Sequence, residues 1–308
     1  MKFTIGIPAF KATFFKECLE SIVNQNFRDF EVIIVDDASP ENIAEIAKPY
    51  LSDQIWYQRN EKNFGALHVV ENWNTCLNLA KGDYFVLMGD DDRMDINYLE
   101  EFDRLINQYP DCKVYHCRSV IIDEESNPIT LTEPRPEFET VYDSILERLK
   151  GNRLAFISDY VFHTQTLKNN GGFFKLPLAW ASDDISVYIA ADTYGTAHTN
   201  KPVFQYRRSS ITISNSGQAE HKMVAIMAEE TWLQSFLSTK PDTAEDLILW
   251  TNIKERLYPY IQKKKVYTMS AGHSKVPFAL LKQWFGKRNL YRYSVKDLAH
   301  SALLSIRG

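Results

Sequence analysis

The sequence predicts an α/β fold in which a mainly parallel sheet is flanked by helices and followed by a helical C-terminal extension. In the first half, short β-branched apolar runs alternate with stretches of helical apolar spacing, and this alternation is typical of parallel sheets. From about residue 219 onward, long helical patterns follow one another without strands between them. We therefore expect a catalytic or binding domain at 1–218 and a helical extension at 219–308.

The strands and helices of the first half can be placed in order. Residues 3–7 form the first predicted strand, a helix follows at 14–22, and residues 31–35 complete a βαβ unit. The remaining predictions are helices at 43–50 and 69–80 and strands at 55–57, 84–88 and 114–122. Repetition of this unit predicts right-handed crossovers and a doubly wound sheet.

The second half has a less regular pattern. Three prolines, Pro128, Pro134 and Pro136, predict a loop, and the pair Gly171 and Gly172 predicts a turn. Helices are predicted at 142–150, 182–194, 219–237 and 244–257, with shorter helical pieces beyond 275. The chain should therefore end in a helical layer.

Composition excludes several classes of protein. The chain has 308 residues, of which 44% are hydrophobic and 24% charged, as in ordinary globular proteins. No run of 18 uncharged apolar residues predicts a membrane span, and the first apolar stretch is interrupted by Pro8 and Lys11. Four scattered cysteines do not form a disulfide framework. These features predict a cytoplasmic protein.

Charge is distributed unevenly along the chain. The net charge is −5, yet residues 251–308 contain 12 Lys and Arg against 2 Asp and Glu. The acidic remainder argues against nucleic-acid binding. The basic segment also contains Trp284, Phe285 and Leu290, so peripheral contact with an anionic membrane and a solvated helical cap are both compatible with it.

Acidic residues follow two of the predicted strands directly. Asp36 and Asp37 come after the strand at 31–35, and Asp90, Asp91 and Asp92 come after the strand at 84–88. Ligands of parallel sheets bind at the carboxyl ends of the strands. Three adjacent carboxylates repel one another unless a cation compensates them. The pattern therefore predicts a divalent metal site.

Common catalytic motifs are absent from the sequence. The first strand is followed by Pro8 and Phe10 rather than by G-x-G-x-x-G, and there is no G-x-x-x-x-G-K-[ST]. Neither H-E-x-x-H nor G-x-S-x-G occurs. Dinucleotide dehydrogenases, P-loop enzymes, zinc proteases of the zincin type and α/β-hydrolases are thus disfavoured, which leaves carboxylate and metal chemistry.

Five segments, in order, resemble the family 2 glycosyltransferases of the GT-A fold. They are T-I-G-I-P-A-F at 4–10, L-E-S-I-V-N-Q at 19–25, F-E-V-I-I-V-D-D-A-S at 30–39, G-D-Y-F-V-L-M-G-D-D-D at 82–92, and G-G-F at 171–173 followed by S-D-D at 182–184. The resemblance covers roughly residues 3–215. It implies a GT-A sheet and transfer of a sugar, with inversion, from a nucleotide diphosphate sugar to an acceptor hydroxyl.

The resemblance also implies roles for individual residues. The resemblance implies that the donor nucleotide is bound by Pro8, Phe10, Asp37, Asn63 and Asp90. Coordination of Mg²⁺ or Mn²⁺ falls to Asp91, with Asp92 as a further ligand, although Gly89 stands where the family's first aspartate would be. The general base is Asp184, with Asp183 as the alternative.

Structural readings of the same residues remain open. Phe10 could serve packing alone, and the pair Asp183 and Asp184 could cap a helix. Asn63 could close a turn. Arg207 and Arg208 could neutralise a diphosphate or could pair with acidic residues of the protein.

The sequence as a whole predicts an inverting, metal-dependent glycosyltransferase that builds a surface polysaccharide. Its partners would be a nucleotide sugar and a saccharide or lipid-linked saccharide acceptor, and residues 251–308 could contact the cytoplasmic membrane face. The alternatives are a nucleotidyltransferase that makes nucleotide sugars and a non-catalytic protein that binds them. Donor, acceptor and linkage are not specified by these motifs.

Overall fold

The strands and helices come from a computed structural model, which describes residues 1–209, 219–271 and 277–307. In this part of the chain the strands are β1 (Phe3–Ala9), β2 (Phe30–Asp36), β3 (Ile55–Arg59), β4 (Tyr84–Leu87), β5 (Arg93–Met94), β6 (Val114–Ile122), β7 (Pro128–Leu131), β8 (Phe138–Glu139), β9 (Tyr160–His163) and β10 (Thr196–Arg207). The helices are α1 (Phe15–Val23), α2 (Ile43–Ala47), α3 (Val69–Leu79), α4 (Tyr98–Gln108), α5 (Val141–Lys150), α6 (Thr164–Asn169), α7 (Ser182–Ala191), α8 (Ala219–Phe236), α9 (Ala244–Ala271), α10 (Pro277–Trp284), α11 (Arg288–Tyr291) and α12 (Val295–Arg307).

The strands form one sheet in the order β3-β2-β1-β4-β9-β6-β10-β5, with β7 beside β6 and β8 beside β10. Strands β3, β2, β1 and β4 are parallel neighbours, and β10 runs parallel to β6. The short strand β9 is antiparallel to both β4 and β6. The predicted α/β class and the mainly parallel sheet are thereby confirmed.

Several predicted element boundaries are wrong for identifiable physical reasons. Strand β10 was not predicted, because it contains Asn200, Lys201 and Pro202, and its register against β6 shifts on either side of Pro202. The predicted loop after β6 contains strand β7, a short exposed strand that begins at Pro128, one of the prolines on which the loop prediction rested. Helix α9 continues past Pro259, where the sequence predicted an end at 257.

Packing on the two faces of the sheet creates two apolar cores. Strand β2 is buried throughout, and its residues alternate between them: Val32 and Ile34 contribute to one core, Ile33 and Val35 to the other. Helices α1 and α4 cover the first core, and α3, α5 and α7 cover the second. A strand buried on both faces needs a continuous apolar run, as the sequence of β2 provides.

The C-terminal helices extend the second core. Helix α9 packs against α5 and places Ile253, Leu257 and Ile261 in the same cluster as Ile145. The ammonium of Lys265 lies fully buried, 3.1 Å from a carboxylate oxygen of Glu230 on α8. The predicted boundary at 218 falls outside the described residues. None of the helices in the described part of the chain is long and apolar enough to cross a bilayer.

Candidate active site

Strands β1, β2 and β4 end at one edge of the sheet, where the loop after β1 is held by Asp90. One carboxylate oxygen of Asp90 accepts hydrogen bonds from the backbone N–H groups of Phe10, at 2.7 Å, and Lys11, at 2.8 Å. Burial, followed by the charge of Asp91, raises the pKa of Asp90 to about 6. Asp90 therefore shapes the loop, and its predicted contact with the donor remains a prediction.

Asp37 organises a second loop at the same edge. Its carboxylate accepts hydrogen bonds from the side chain of Asn60 at 3.0 Å and from the backbone N–H groups of Phe64 at 3.0 Å and Gly65 at 3.4 Å. Asn63 is exposed, and its side-chain oxygen accepts a hydrogen bond from the Gly65 N–H. The structure thus shows the turn at Asn63, and it leaves the donor contacts of Asp37 and Asn63 as predictions.

The ring of Phe10 is exposed beside these loops. Its backbone carbonyl accepts a hydrogen bond from the Ser39 hydroxyl at 2.5 Å, which ties the ends of β1 and β2 together. Pro8, within β1, is opposite Val35 and only partly buried. An exposed aromatic ring between two fixed loops is available for stacking on a nucleobase.

The three consecutive aspartates have different environments. Asp92 is 5% exposed, and one of its oxygens accepts a hydrogen bond from the Arg207 backbone N–H at 2.9 Å. Asp91 is partly exposed, and the positive charges of Lys11 and Arg207 act on its carboxylate. Burial raises the pKa of Asp91, and burial together with the Asp91 charge raises that of Asp92. A bound cation would relieve this concentration of negative charge.

Asp91 fits the divalent cation that the sequence predicts. Its carboxylate supplies hard oxygen ligands, which Mg²⁺ and Mn²⁺ prefer. Asp92 has one oxygen already engaged by the Arg207 backbone N–H. Among the described residues, no three His, Cys, Asp or Glu side chains converge as a metal cage. A metal at this edge would therefore rely on Asp91 and on oxygens of a bound substrate.

Arg207, at the end of β10, fixes the acidic loop from behind. Its side chain is completely buried, its Nε–H donates to the Asp91 carbonyl at 2.8 Å, and its guanidinium contacts Glu17 at 2.9 Å. The guanidinium also contacts the carbonyls of Asp123 and Glu124, the hydroxyl of Ser126 and the ring of Phe14. These partners and its complete burial make Arg207 an anchor of the acidic loop. Arg208 is exposed, and Ser210 lies outside the described residues.

The structure separates the two candidate bases at the start of α7. Asp184 is 9% exposed, and one of its oxygens lies 2.9 Å from Nε and 2.8 Å from Nη2 of Arg148 on α5. Asp183 is partly exposed and forms no ion pair with a described residue. Burial, followed by the charge of Asp184, raises the pKa of Asp183 to about 7. Asp183 therefore has the properties of a general base at neutral pH, and Asp184 those of an anchored partner.

The turn before α7 has a strained backbone. Leu178, Ala179 and Ala181 all have positive φ values, of 61°, 53° and 71°. Such values cost non-glycine residues of the order of 1 to 3 kcal/mol each. The turn carries Trp180 and leads directly into Asp183, so the strain is located beside the candidate base.

A short segment connects the acidic loop to α7. The hydroxyl of Ser158 accepts a hydrogen bond from the Gly89 N–H at 3.1 Å, next to Asp90 and Asp91. The adjacent Asp159 is fully buried, and burial raises its pKa to about 8, with a further contribution from the charge of Asp183. Residues 158–159 therefore contact the acidic loop and also lie within electrostatic range of Asp183.

Comparison with known proteins identifies the family. Residues 4–165, more than half of the chain, match Glycosyl transferase family 2. The chain belongs to this family. The matched segment contains β1 to β9 and the acidic loop, whereas Asp183, Asp184 and Arg207 lie beyond it.

Curated relatives of this family 2 protein come from bacteria and archaea. It is 26% identical over 182 residues to glycosyltransferase GlyA of Streptococcus pneumoniae serotype 4, covering 58% of this chain and 24% of that protein. It is 32% identical over 182 residues to an uncharacterized glycosyltransferase of Methanocaldococcus jannaschii, covering 52% and 62%. An uncharacterized glycosyltransferase of Haemophilus influenzae is 29% identical over 47% of this chain and 48% of its own length. Each match thus spans only part of the relative.

Solved structures share the fold of this family 2 chain. S. aureus TarS 1–349 in complex with UDP-GlcNAc aligns with a TM-score of 0.68 at 16% identity, over 99% of this chain and 90% of that one. Mannosyltransferase PcManGT from Pyrobaculum calidifontis in complex with GDP-Man and Mn²⁺ aligns with a TM-score of 0.58 at 15% identity, over 99% and 86%. The predicted GT-A fold with a helical C-terminal region is confirmed.

Three residues of the site have no motif in the sequence. Arg148 approaches Asp184 from a helix 36 positions earlier, and Asp159 ends a short 3₁₀ helix, Ile157–Asp159. Arg207 was noticed, but it is a buried anchor rather than a diphosphate ligand. The basic segment 251–308 contains the run Lys263-Lys264-Lys265, and Lys264 lies close enough to act on the pKa of Asp183.

Proposed function

We propose that this family 2 protein is an inverting, metal-dependent glycosyltransferase that moves a sugar from a nucleotide diphosphate sugar to an acceptor hydroxyl. One observation carries the proposal. Two partly exposed carboxylates, Asp91 and Asp183, belong to segments that both approach residues 158–159: the Gly89 N–H beside the aspartates donates to Ser158, and the charge of Asp183 acts on Asp159. Asp91 would coordinate the metal that binds the leaving diphosphate. Asp183 would accept the proton that the acceptor hydroxyl loses.

The donor side is formed by fixed loops. Phe10 offers its exposed ring to the nucleobase, and the backbone held by Asp90 and Asp37 lines the same edge. Asp91 would hold Mg²⁺ or Mn²⁺, which when bound supplies positive charge to the diphosphate. Arg207 keeps the acidic loop in place through the Asp91 carbonyl. Because the loops are tied to the sheet, the binding surface is organised before the donor arrives.

The acceptor side is formed by α7. The oxygen of the acceptor hydroxyl bonds to the anomeric carbon while Asp183 accepts the proton of that hydroxyl. The nucleoside diphosphate departs from the opposite face of the sugar. Asp184 orients the start of the helix through its ion pair with Arg148. The donors bound by structural neighbours, UDP-GlcNAc in TarS and GDP-Man with Mn²⁺ in PcManGT, support a nucleotide sugar as the donor class.

Replacement Asp91→Asn should abolish metal-dependent donor binding. We expect one nucleotide from a panel of uridine, guanosine and thymidine diphosphate sugars to raise the melting temperature of the wild-type chain with Mn²⁺ or Mg²⁺, and the shift to vanish with EDTA. The variant should lose that shift, because an amide neither carries charge nor repels its neighbours. Asp53→Asn is the matched control, since Asp53 is exposed and precedes the amino end of β3, at the opposite edge of the parallel strands from Asp91.

The product of the reaction distinguishes the proposal from its alternatives. Release of a nucleoside diphosphate from the stabilising donor, with sugar appearing on an added acceptor, supports glycosyl transfer. Release of pyrophosphate would instead indicate nucleotidyl transfer, and tight binding without turnover would indicate a non-catalytic protein. A wild-type chain that no nucleotide stabilises in the presence of metal would remove the basis of the proposal.

We further propose a saccharide or lipid-linked acceptor and peripheral contact with the cytoplasmic membrane face, supported by the surface of 277–307. There Phe278 is 86% exposed, Phe285 56% and Leu290 66%, and the guanidinium of Arg288 lies 4.3 Å from the Phe285 ring centre. Exposed aromatic and basic groups together favour anionic bilayers.

Vesicle sedimentation measures this contact. The chain should sediment with phosphatidylglycerol vesicles and less with phosphatidylcholine vesicles. Phe285→Ser should lower the partition coefficient by about thirtyfold, because one buried Phe is worth about 2 kcal/mol. Ile129→Ser, on the exposed strand β7, is the matched control. Equal sedimentation of all three proteins would show that this surface does not bind membranes.

A further inference from the structure

Helix α3 carries two buried amide side chains that the proposed mechanism does not use. Asn72 is 2% exposed and Asn74 is 9% exposed. Residues two positions apart in an α-helix point about 200° away from each other, so the two amides lie on nearly opposite sides of α3. A buried amide costs free energy unless hydrogen bonds satisfy it. The partners of each amide therefore show what α3 holds in place.

Asn72 supports the loop that Asp37 organises. The Nδ2 group of Asn60 donates one hydrogen bond to the Asp37 carboxylate and another to the Asn72 side-chain oxygen, each at 3.0 Å. The Nδ2 group of Asn72 donates to the Val35 carbonyl at 3.4 Å, near the end of β2. Asn72 therefore ties the donor side of the site to α3 through Asn60.

Asn74 contacts the backbone of Phe173, 99 positions later in the chain. Its side-chain oxygen accepts a hydrogen bond from the Phe173 N–H at 2.8 Å, and its Nδ2 group donates to the Phe173 carbonyl at 3.3 Å. The amide thus pairs with both backbone groups of one residue, as residues of adjacent strands do. Gly172 has a φ of 84°, and a Cβ at that position would overlap the Asn74 side chain. This close approach therefore requires glycine.

The segment that follows Phe173 is bonded directly to the start of α7. The Phe174 N–H donates to the Ser186 hydroxyl at 2.9 Å. The N–H of residue 176 donates to the hydroxyl of Ser182, the completely buried first residue of α7, at 3.2 Å. The Ser186 hydroxyl in turn donates to the Ser182 carbonyl at 2.6 Å. A hydrogen-bonded path thus runs from α3 to the helical turn that contains Asp183.

We propose that Asn74 is a positioning residue that holds Asp183 at the acceptor hydroxyl, while Asn72 positions the donor loop from the other side of the same helix. The inference rests on the proposed function, since it takes Asp183 as the base. Asn74 acts through Phe173 and the start of α7, and Asn72 acts through Asn60. Transfer requires the reacting groups at a fixed distance, and one helix bonded to both sides sets that distance.

Hydrogen exchange followed by mass spectrometry tests the positioning independently of activity. Asn74→Ala should raise amide exchange in residues 173–186 by about tenfold and leave residues 60–68 unchanged, because it frees the backbone that the amide clamps. Asn72→Ala should raise exchange in 60–68 and leave 173–186 unchanged. Asn78→Ala, which changes an exposed asparagine of the same helix, is the matched control and should alter neither segment.

Kinetic constants give a second readout, with the diphosphate sugar that stabilises the wild-type chain as donor and water as acceptor. Asn74→Ala should lower the kcat for nucleoside diphosphate release by about tenfold and leave the donor Kd within about twofold, because the base is displaced while the donor contacts remain. Asn72→Ala should mainly raise the donor Kd, by about fivefold, because the Asp37 loop loses a support. General destabilisation would not produce opposite splits from one helix.

Ser186→Ala breaks the same path at its other end. It removes the hydroxyl that accepts the Phe174 N–H and leaves α3 unchanged, so it keeps the test available even if Asn74→Ala does not fold. We expect it to raise exchange in 173–186 and to lower kcat with an unchanged donor Kd.

The possible outcomes separate this inference from the proposed function. Unchanged exchange in 173–186 in both Asn74→Ala and Ser186→Ala would overturn the inference, and so would a wild-type kcat in both. Equal changes of donor Kd in Asn72→Ala and Asn74→Ala would overturn the division of roles. A wild-type chain that releases no nucleoside diphosphate would contradict the proposed function and the role of Asp183. The exchange data would still decide whether Asn72 and Asn74 hold the two segments separately.

Discussion

Replacement Asp183→Asn is expected to reduce sugar transfer by about 10² to 10⁴, the usual contribution of a positioned general base. The amide keeps the size of the side chain but cannot take the proton of the acceptor hydroxyl. Metal-dependent binding of the donor should persist, because the donor loops at Phe10, Asp37 and Asp91 follow β1, β2 and β4 and do not belong to α7. Transfer is measured as product formed, and donor binding as the thermal shift.

Two further variants assign the effect to Asp183. Asp192→Asn, just beyond the end of α7, changes an exposed aspartate and should leave transfer unchanged. Asp184→Asn should lower the melting temperature, because it leaves the guanidinium of Arg148 without its buried partner. Asp184 would be the base if Asp184→Asn lost transfer at an unchanged melting temperature. Asp183→Asn would then have to retain full transfer.

The pH profile gives an independent readout of the same assignment. The base must be ionised to accept a proton, and burial beside Asp184 raises the pKa of Asp183 to about 7. Transfer should therefore be full above this pH and fall as the pH drops below it. Arg148 on α5 and Lys264 on α9 act in the opposite direction on the Asp183 pKa. Lys264→Met should therefore move the midpoint of the profile upward.

The second large effect is expected from Arg207→Lys, which should destabilise the protein by about 3 kcal/mol. Lysine cannot reproduce the planar array of donors that contacts Glu17, the Asp91 carbonyl and the 123–126 turn together. The free energy of unfolding in urea measures the loss. Donor binding should weaken as well, because the acidic loop loses its support.

The neighbouring residue provides the control. Arg208→Lys makes the same chemical change at an exposed position, one residue further along, and should leave the free energy of unfolding within about 0.5 kcal/mol of the wild-type value. If Arg207→Lys retained full stability but lost donor binding, Arg207 would be a ligand of the donor and not an anchor.

Much of the sheet and the first acidic loop could be predicted from local pattern. Strands β1, β2 and β4 are mainly buried apolar runs, and the aspartates that end β2 and closely follow β4 mark their carboxyl ends in the sequence. The distinct environments of Asp90, Asp91 and Asp92 could not be predicted. They are set by the backbone of Phe10 and Lys11 and by Arg207, which lie 79 to 80 and 115 to 116 positions away along the chain.

The environments of Asp183, Asp184 and the basic segment are also set by residues distant along the chain, so they could not be predicted either. Asp183 and Asp184 are adjacent at a helix start, and the ion pair of Asp184 with Arg148 on α5 gives them different environments. The sequence showed that residues 251–308 are basic. It could not show that Lys263 and Lys264 line the same pocket as Trp180, because their position depends on how α9 packs against α5.

Strand β10 has a consequence for how the chain assembles. It pairs with β6 in parallel, and these two strands are separated by more than 70 residues of sequence. During synthesis one edge of β6 therefore stays unpaired until residue 207 has been made. An unpaired edge strand is a template for pairing with other chains. The same strand brings Arg207 to the acidic loop, so closure of the edge and ordering of that loop happen in one event. A fragment ending at residue 165 would contain the family segment and yet be prone to aggregate.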